Sequence, residues 1–291
     1  MSNIGFIGLG IMGTPMAGHL IKGGHTLFLH SRSGVPAALL EAGGRACASA
    51  QEVARNADVV ITMVPDTPDV ERLLFGDGGV AAGLSQGKLV IDMSSISPIA
   101  TKQFAQRITA LGARYLDAPV SGGEVGAIAG TLSIMVGGTE AAFAKVRPAF
   151  ECMGTNIVHV GASGAGQVTK AANQIVTGMG VLAVAEAFAF AAKNGVDRSK
   201  VREALLGGFA YSKILENHGQ RMLDRNFKPG FKSWMHEKDL NIVMQTAHEL
   251  GLCLPGSAAT AQMFNAMVGS GMGDEDSVAL LKLLEKLSGQ E

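Results

Sequence analysis

The chain has 291 residues, 47% hydrophobic and 17% charged, with a net charge of −1. That length suits one large or two ordinary domains. The near-neutral charge, with no basic block or acidic tail, argues against binding to nucleic acid or to an anionic membrane. The three cysteines, Cys47, Cys152 and Cys253, are scattered, with no C-x-x-C pair and no clustered histidines. They read as reduced thiols, and no metal site is expected. The first residues show no basic segment followed by an apolar run and a cleavage site, so the expected location is cytoplasmic.

Residues 3–7 form an apolar, strand-like run that leads into Gly8, Gly10 and Gly13. This is the G-x-G-x-x-G spacing of a dinucleotide site. Gly8 allows a tight turn out of the strand, Gly10 lets backbone approach a pyrophosphate, and Gly13 lets the next helix pack closely. A helical pattern through Pro15, Met16, Leu20 and Ile21 follows, and the pyrophosphate would rest on N–H groups at its start. Further β-type runs lie at 26–30, 59–63, 89–92, 115–118, 133–136 and 157–160, with helical patterns such as 49–55 and 97–111 between them. Ser97-Pro98 places Ser at an N-cap and Pro at the first helical position. Such alternation predicts a mostly parallel, doubly wound sheet.

Beyond about residue 162 the pattern changes. A glycine-rich joint at 161–166 is followed by helical patterns at 175–192, 197–207, 211–223, 234–250, 255–268 and 276–287. The stretch 175–192 is nearly all apolar and close to the shortest membrane span, but it contains Glu186 and is rich in Gly and Ala. It reads as a buried core helix whose small residues let a neighbouring backbone, from this chain or a partner subunit, come close. The expected fold class is therefore an α/β Rossmann-type N-terminal domain (1–162) followed by an all-α C-terminal domain (163–291), joined by a long helix.

Several residues suggest chemistry. An NAD site usually carries an acid at the end of the second strand, where it holds the ribose 2′-hydroxyl. Here that position reads Leu29-His30-Ser31-Arg32-Ser33, with no acid. Ser31 and Arg32 suit a 2′-phosphate and favour NADPH over NADH, the alternative being a solvated turn arginine. Val64-Pro65 and Ser94-Ser95 end strands whose C-terminal ends face the cofactor crevice of such sheets. Ser121-Gly122-Gly123 offers a hydroxyl and unhindered N–H groups to an anion, although ordinary loops look the same. Lys170, Asn173 and Gln174 share one face of a largely apolar helix. A lysine there either moves protons or snorkels out at the helix end, and the residues alone leave both open. Lys238-Asp239, within a mixed-charge helix, reads by itself as a solvated face.

Together these pieces resemble the β-hydroxyacid dehydrogenase family, which includes 3-hydroxyisobutyrate dehydrogenase. The resemblance runs over essentially the whole chain, through Gly5–Gly13, Asp117–Gly123, Gly164-Ala-Gly166 with Lys170 and Asn173, and Lys238-Asp239-Leu240. The stretches 91–98, 121–124, 130–138 and 225–231 resemble members that reduce tartronate semialdehyde (2-hydroxy-3-oxopropionate) to D-glycerate.

The resemblance implies an NAD(P)-dependent oxidoreductase with a small carboxylate semialdehyde substrate. It implies Lys170 as catalytic acid/base and Asn173 orienting the substrate, whose carboxylate is held by Ser121, Gly122 and Gly123. The cofactor contacts implied are Gly8, Gly10, Ile11, Met12, Gly13, Ser31, Arg32, Val64, Pro65, Ser95 and Lys238, with Lys238 at the nicotinamide end. Two departures stand out. Several relatives carry Asn at the position of Gln174, and NAD-using relatives carry Asp at that of Ser31. The family also implies a homodimer or homotetramer. Rival readings stay open: a reductase or dehydrogenase for another small semialdehyde or 3-hydroxy acid, and coenzyme binding without catalysis; a phosphogluconate-type enzyme would want several basic groups for a phosphate and a longer helical domain.

Overall fold

The computed structural model describes residues 2–290. They form two compact units, one ending at Lys170 and the other beginning at Ala171. The first is an α/β unit. Its strands are β1 (Asn3–Ile7), β2 (Thr26–His30), β3 (Arg45–Ala46), β4 (Val59–Thr62), β5 (Leu89–Asp92), β6 (Arg114–Asp117), β7 (Val120–Ser121), β8 (Leu132–Gly137) and β9 (Gly154–Gly161). Its helices are α1 (Gly13–Lys22), α2 (Ala37–Glu41), α3 (Ala50–Asn56), α4 (Thr67–Phe75), α5 (Pro98–Ala110), α6 (Gly123–Ala129) and α7 (Glu140–Glu151).

The nine strands form one sheet in the order β3-β2-β1-β4-β5-β6-β8-β7, with β9 also on β8. The pairs from β3 through β6 are parallel, β8 is antiparallel to β6 and β7, and β9 is parallel to β8. Both faces are covered, so successive residues of a strand enter different cores. Val59 and Ile61 pack in one cluster with Met16 and Leu20 of α1, while Val60 between them packs with Val53 of α3 and Leu74 of α4. Ser97 caps α5 as its Ser-Pro signature predicts, its Oγ accepting the Ala100 N–H.

Strand order reverses between β1 and β4, the switch point at which open α/β sheets bind ligands outside their carboxyl ends. The register aligns those ends. His30 pairs with Ile7, Ile7 with Thr62, Thr62 with Asp92, and Asp92 with Asp117.

The second unit is helical. It takes most of α8 (Ala165–Lys193), then α9 (Arg198–Leu206), α10 (Gly219–Leu223), α11 (Ser233–Leu250), α12 (Pro255–Met267) and α13 (Leu280–Leu287). Its core joins Phe188 of α8, Leu240 of α11, Phe264 of α12 and Leu281 of α13. Two expectations need correction here. First, α8 starts at Ala165, so the last two residues of the expected joint, Ala165 and Gly166, lie inside the helix. Second, α8 is by length and composition apolar enough to cross a membrane, yet it is not buried all round. Phe188 and Ala185 are fully covered, whereas Val176 is 70% and Phe190 73% exposed. Val176, Met179, Ala183, Glu186 and Phe190 follow at three- or four-residue steps, so this exposed stripe is one face of the helix.

Candidate active site

The turn from β1 to α1 is shaped by three glycines, each for a different reason. Gly8 has φ +100°, and a Cβ there would lie 2.1 Å from the Met63 carbonyl oxygen. Its N–H donates to the His30 carbonyl at 3.0 Å, closing the turn across β2. At Gly13 a Cβ would lie 1.9 Å from the Gly8 carbonyl oxygen, so only glycine lets α1 approach the strand end. Gly10 is different: a Cβ there would meet nothing within 4 Å. Among the described residues no atom requires glycine at that position, where the fingerprint brings backbone to a pyrophosphate. Ile11 is exposed, and Met12 precedes α1 without offering a side-chain cap. The turn therefore fits a dinucleotide.

Ser31 and Arg32 follow β2. Ser31 Oγ lies 3.2 Å from Ser33 Oγ. The Arg32 side chain is 77% exposed, with its guanidinium 3.8 Å from Asp69, a carboxylate that also pairs with Arg72. An ion pair so exposed and so long holds Arg32 only weakly. No carboxylate residue occupies the end of β2.

The ends of β4, β5 and β6 are tied by buried polar side chains. Thr62 Oγ1 donates to Asp92 Oδ1 at 2.8 Å, and the Ser94 N–H donates to the same oxygen at 3.1 Å. Ser94 Oγ in turn accepts the Val64 N–H at 3.0 Å, so one chain of bonds links the Val64-Pro65 and Ser94-Ser95 turns. Burial pushes the Asp92 carboxyl above its ordinary range, against the hydrogen bonds from Ser94 and Thr62. Burial also raises Asp117, against N–H donors at the start of α8. Tyr115 is raised well above its usual range, chiefly by burial and then by these two carboxylates.

Ser121 lies in β7, paired with Ser133 of β8. Gly122 and Gly123 follow with φ +138° and +60°, a backbone path that favours glycine, and lead into α6. Lys170 sits on the second turn of α8 and is 9% exposed. That is a largely buried setting for a charged residue.

In the second unit, Asn173 and Lys238 belong to one hydrogen-bonded chain. Asn173 Nδ2 donates to Gln174 Oε1 at 2.8 Å, Gln174 Nε2 donates to Asp239 Oδ2 at 2.6 Å, and Lys238 Nζ lies 2.9 Å from Asp239 Oδ1. The side chains of Lys238 and Asp239 are only 13% and 4% exposed. The solvated-face reading of these charges is therefore wrong, because α8 supplies Asp239 with a neutral buried partner. Sequence reasoning also missed Asp239 as a hub and Gln167 as a buried polar residue, since nothing local pairs them with positions so distant along the chain.

Residues 3–161 match the model described as the NAD-binding domain of 6-phosphogluconate dehydrogenase. Residues 164–284 match that described as the NAD-binding region of NADP-dependent 3-hydroxyisobutyrate dehydrogenase. The chain is 50% identical to the 2-hydroxy-3-oxopropionate reductase of Escherichia coli K12, with 98% of each chain covered. The chain belongs to the β-hydroxyacid dehydrogenase family. It is also 36% identical to the 2-(hydroxymethyl)glutarate dehydrogenase of Eubacterium barkeri, covering 98% of this chain and 96% of the relative. Among solved structures it is similar to a Mycobacterium tuberculosis 3-hydroxyisobutyrate dehydrogenase with L-serine. That match has TM-score 0.90 and 33% identity and covers 98% and 99% of the two chains. The protein is thus an NAD(P)-dependent oxidoreductase acting on CH–OH groups.

Proposed function

We propose that the protein reduces tartronate semialdehyde to D-glycerate, with Lys170 as proton donor and NADPH as preferred coenzyme. The observation that carries the chemistry is the buried position of Lys170, 9% exposed, three residues before Asn173 on α8. The substrate rests on the 50% identity to the Escherichia coli reductase. Ser31 and the weakly held Arg32, with no acid at the end of β2, support the phosphorylated coenzyme.

Gly8, Gly10, Ile11, Met12 and Gly13 would hold the pyrophosphate. Ser31 and Arg32 would hold the 2′-phosphate. Val64, Pro65, Ser95 and Lys238 would line the rest of the coenzyme. When bound, the nicotinamide supplies a hydride to the aldehyde carbon. The Lys170 ammonium stabilises the negative charge that grows on the carbonyl oxygen and delivers its proton there. The Asn173 amide orients that oxygen. Ser121 Oγ and the Gly122 and Gly123 N–H groups anchor the carboxylate, so that binding becomes orientation.

The test compares oxidation of NADPH and NADH with tartronate semialdehyde, glyoxylate, succinic semialdehyde and methylmalonate semialdehyde. Preference for tartronate semialdehyde with NADPH is expected. Preference for another acid changes the substrate and keeps the chemistry, whereas coenzyme binding without any oxidation points to a binding protein. Lys170→Ala is expected to lower kcat by roughly 10²–10⁴ while coenzyme affinity holds. Normal turnover in that variant removes the proton-donor role.

The same reading includes a homo-oligomer located in the cytoplasm. It is supported by the exposed apolar stripe of α8 and by three free cysteines. Light scattering on the purified protein tests the assembly, and a monomeric mass rejects it.

A further inference from the structure

Lys170 can act only where its helix puts it, and two buried side chains fix that part of the helix. The first is Asp117, at the end of β6. Its Oδ1 accepts the Gly164 N–H at 2.7 Å and its Oδ2 accepts the Gln167 N–H at 2.9 Å. A strand end thus caps the first turn of α8 with a carboxylate, where the helix dipole favours negative charge. Close packing adds a second limit. A Cβ on Gly166 would lie 2.4 Å from the Met135 carbonyl oxygen and 2.7 Å from that of Asp117. The helix start therefore cannot move toward the sheet, and the cap resists its moving away.

The second side chain is Gln167, 1% exposed. Its Oε1 accepts the Ile96 N–H at 3.1 Å, and its Nε2 donates to the Ser94 carbonyl at 2.7 Å. Those two groups flank Ser95. One amide therefore grips the Ser95 turn on both sides, and an amide is suited to this because it has an acceptor and a donor side by side. Gln167 and Lys170 are three residues apart, on neighbouring positions of one helix face.

We propose that Gln167 is a positioning residue, which sets the distance between the Ser95 turn and the ammonium of Lys170. The proposal rests on Lys170 being the proton donor. Gln167 need not touch substrate. It acts by making the turn that carries the proton and the turn after β5 one rigid piece, with the Asp117 cap as its second anchor. Misplacement of a reacting group by about 1 Å is enough to cost roughly 10²-fold in rate.

The experiment is a double-mutant cycle on the full-length protein with saturating NADPH and tartronate semialdehyde. Gln167→Met and Gln167→Glu are each made in the wild-type chain and in Lys170→Ala. In the wild-type background kcat is expected to fall by roughly 10–10²-fold, and in Lys170→Ala by less than about twofold. Equal losses in both backgrounds would show that Gln167 serves the fold or the coenzyme alone, and would overturn the proposal. Normal turnover of Lys170→Ala by itself is a different result, which removes the proton-donor reading and this inference with it.

Gln167→Glu keeps the test open if the Met variant does not fold. A protonated carboxyl reproduces the acceptor and donor of the amide, while a carboxylate faces the Ser94 carbonyl with repulsion. Its kcat relative to wild type is therefore expected to recover as pH falls. A ratio that stays constant with pH counts against the clamp.

Discussion

The β1–α1 turn and the Asn173–Lys238 chain solve opposite problems. In the turn, packing requires the absence of side chains at Gly8 and Gly13, where there is no room for a Cβ, whereas a Cβ on Gly10 would meet none of the described residues within 4 Å. In the second unit the structure is held by side chains, four of them joined through Gln174 and Asp239. A turn packed through its backbone is intolerant of an atom added at Gly8 or Gly13. A site built of buried polar groups fails when one member is lost, because the partners left behind stay desolvated.

The largest expected effect breaks the second region. In Asp239→Ala the Lys238 ammonium, on a side chain 13% exposed, loses this carboxylate, and Gln174 loses an acceptor. Removing one partner of a buried pair costs about 3–5 kcal/mol. Urea unfolding is expected to show that loss, with a smaller one for Asp239→Asn, which keeps an oxygen for Gln174. A loss below about 1 kcal/mol for Asp239→Ala would mean the pair is exposed in solution and worth no more than a surface pair.

A smaller effect tests the strand ends of the first unit. Because burial raises Asp92 above its ordinary value of 3.8, the folded protein keeps this proton at pH values where the unfolded chain has lost it. The unfolded state then binds fewer protons, so the contribution of Asp92 to stability falls as pH rises through that window. Asp92→Asn cannot ionise, and its Oδ1 still accepts from Thr62 and Ser94. The stability of wild type relative to Asp92→Asn is therefore expected to decrease from low pH upward, read by unfolding at several pH values. A difference that grows with pH would place a cation beside Asp92 that the structure does not show.

The same contrast explains what could be read from the chain. The glycine turn is local, six residues with their spacing, and it was legible together with the alternating strands and the Ser97 cap. Two-residue strands such as β3 and β7 are too short to carry a pattern. The cap of α8 was hidden because it is supplied by Asp117, 47 residues before Gly164. Likewise, Lys238-Asp239 looks like a solvated pair until Gln174, 65 residues before Asp239, is brought to it. Burial of a polar group depends on partners distant along the chain, and periodicity says nothing about partners.

The smallest effect on stability falls on Gly10, and it separates the two reasons for glycine in one turn. Gly8 and Gly13 are required by protein atoms, so alanine at either disturbs the unbound protein. Gly10 has no positive φ and no neighbour within 4 Å of a Cβ. Gly10→Ala is expected to leave unbound stability unchanged or to raise it by about 0.4–1 kcal/mol, through the lower entropy of the unfolded chain. Its NADPH dissociation constant is expected to rise by roughly tenfold or more, equivalent to about 1.4 kcal/mol. Calorimetric titration with NADPH, beside thermal unfolding without it, measures both. Unchanged affinity would mean that the pyrophosphate does not approach Gly10, and the open space above this residue would then need another occupant.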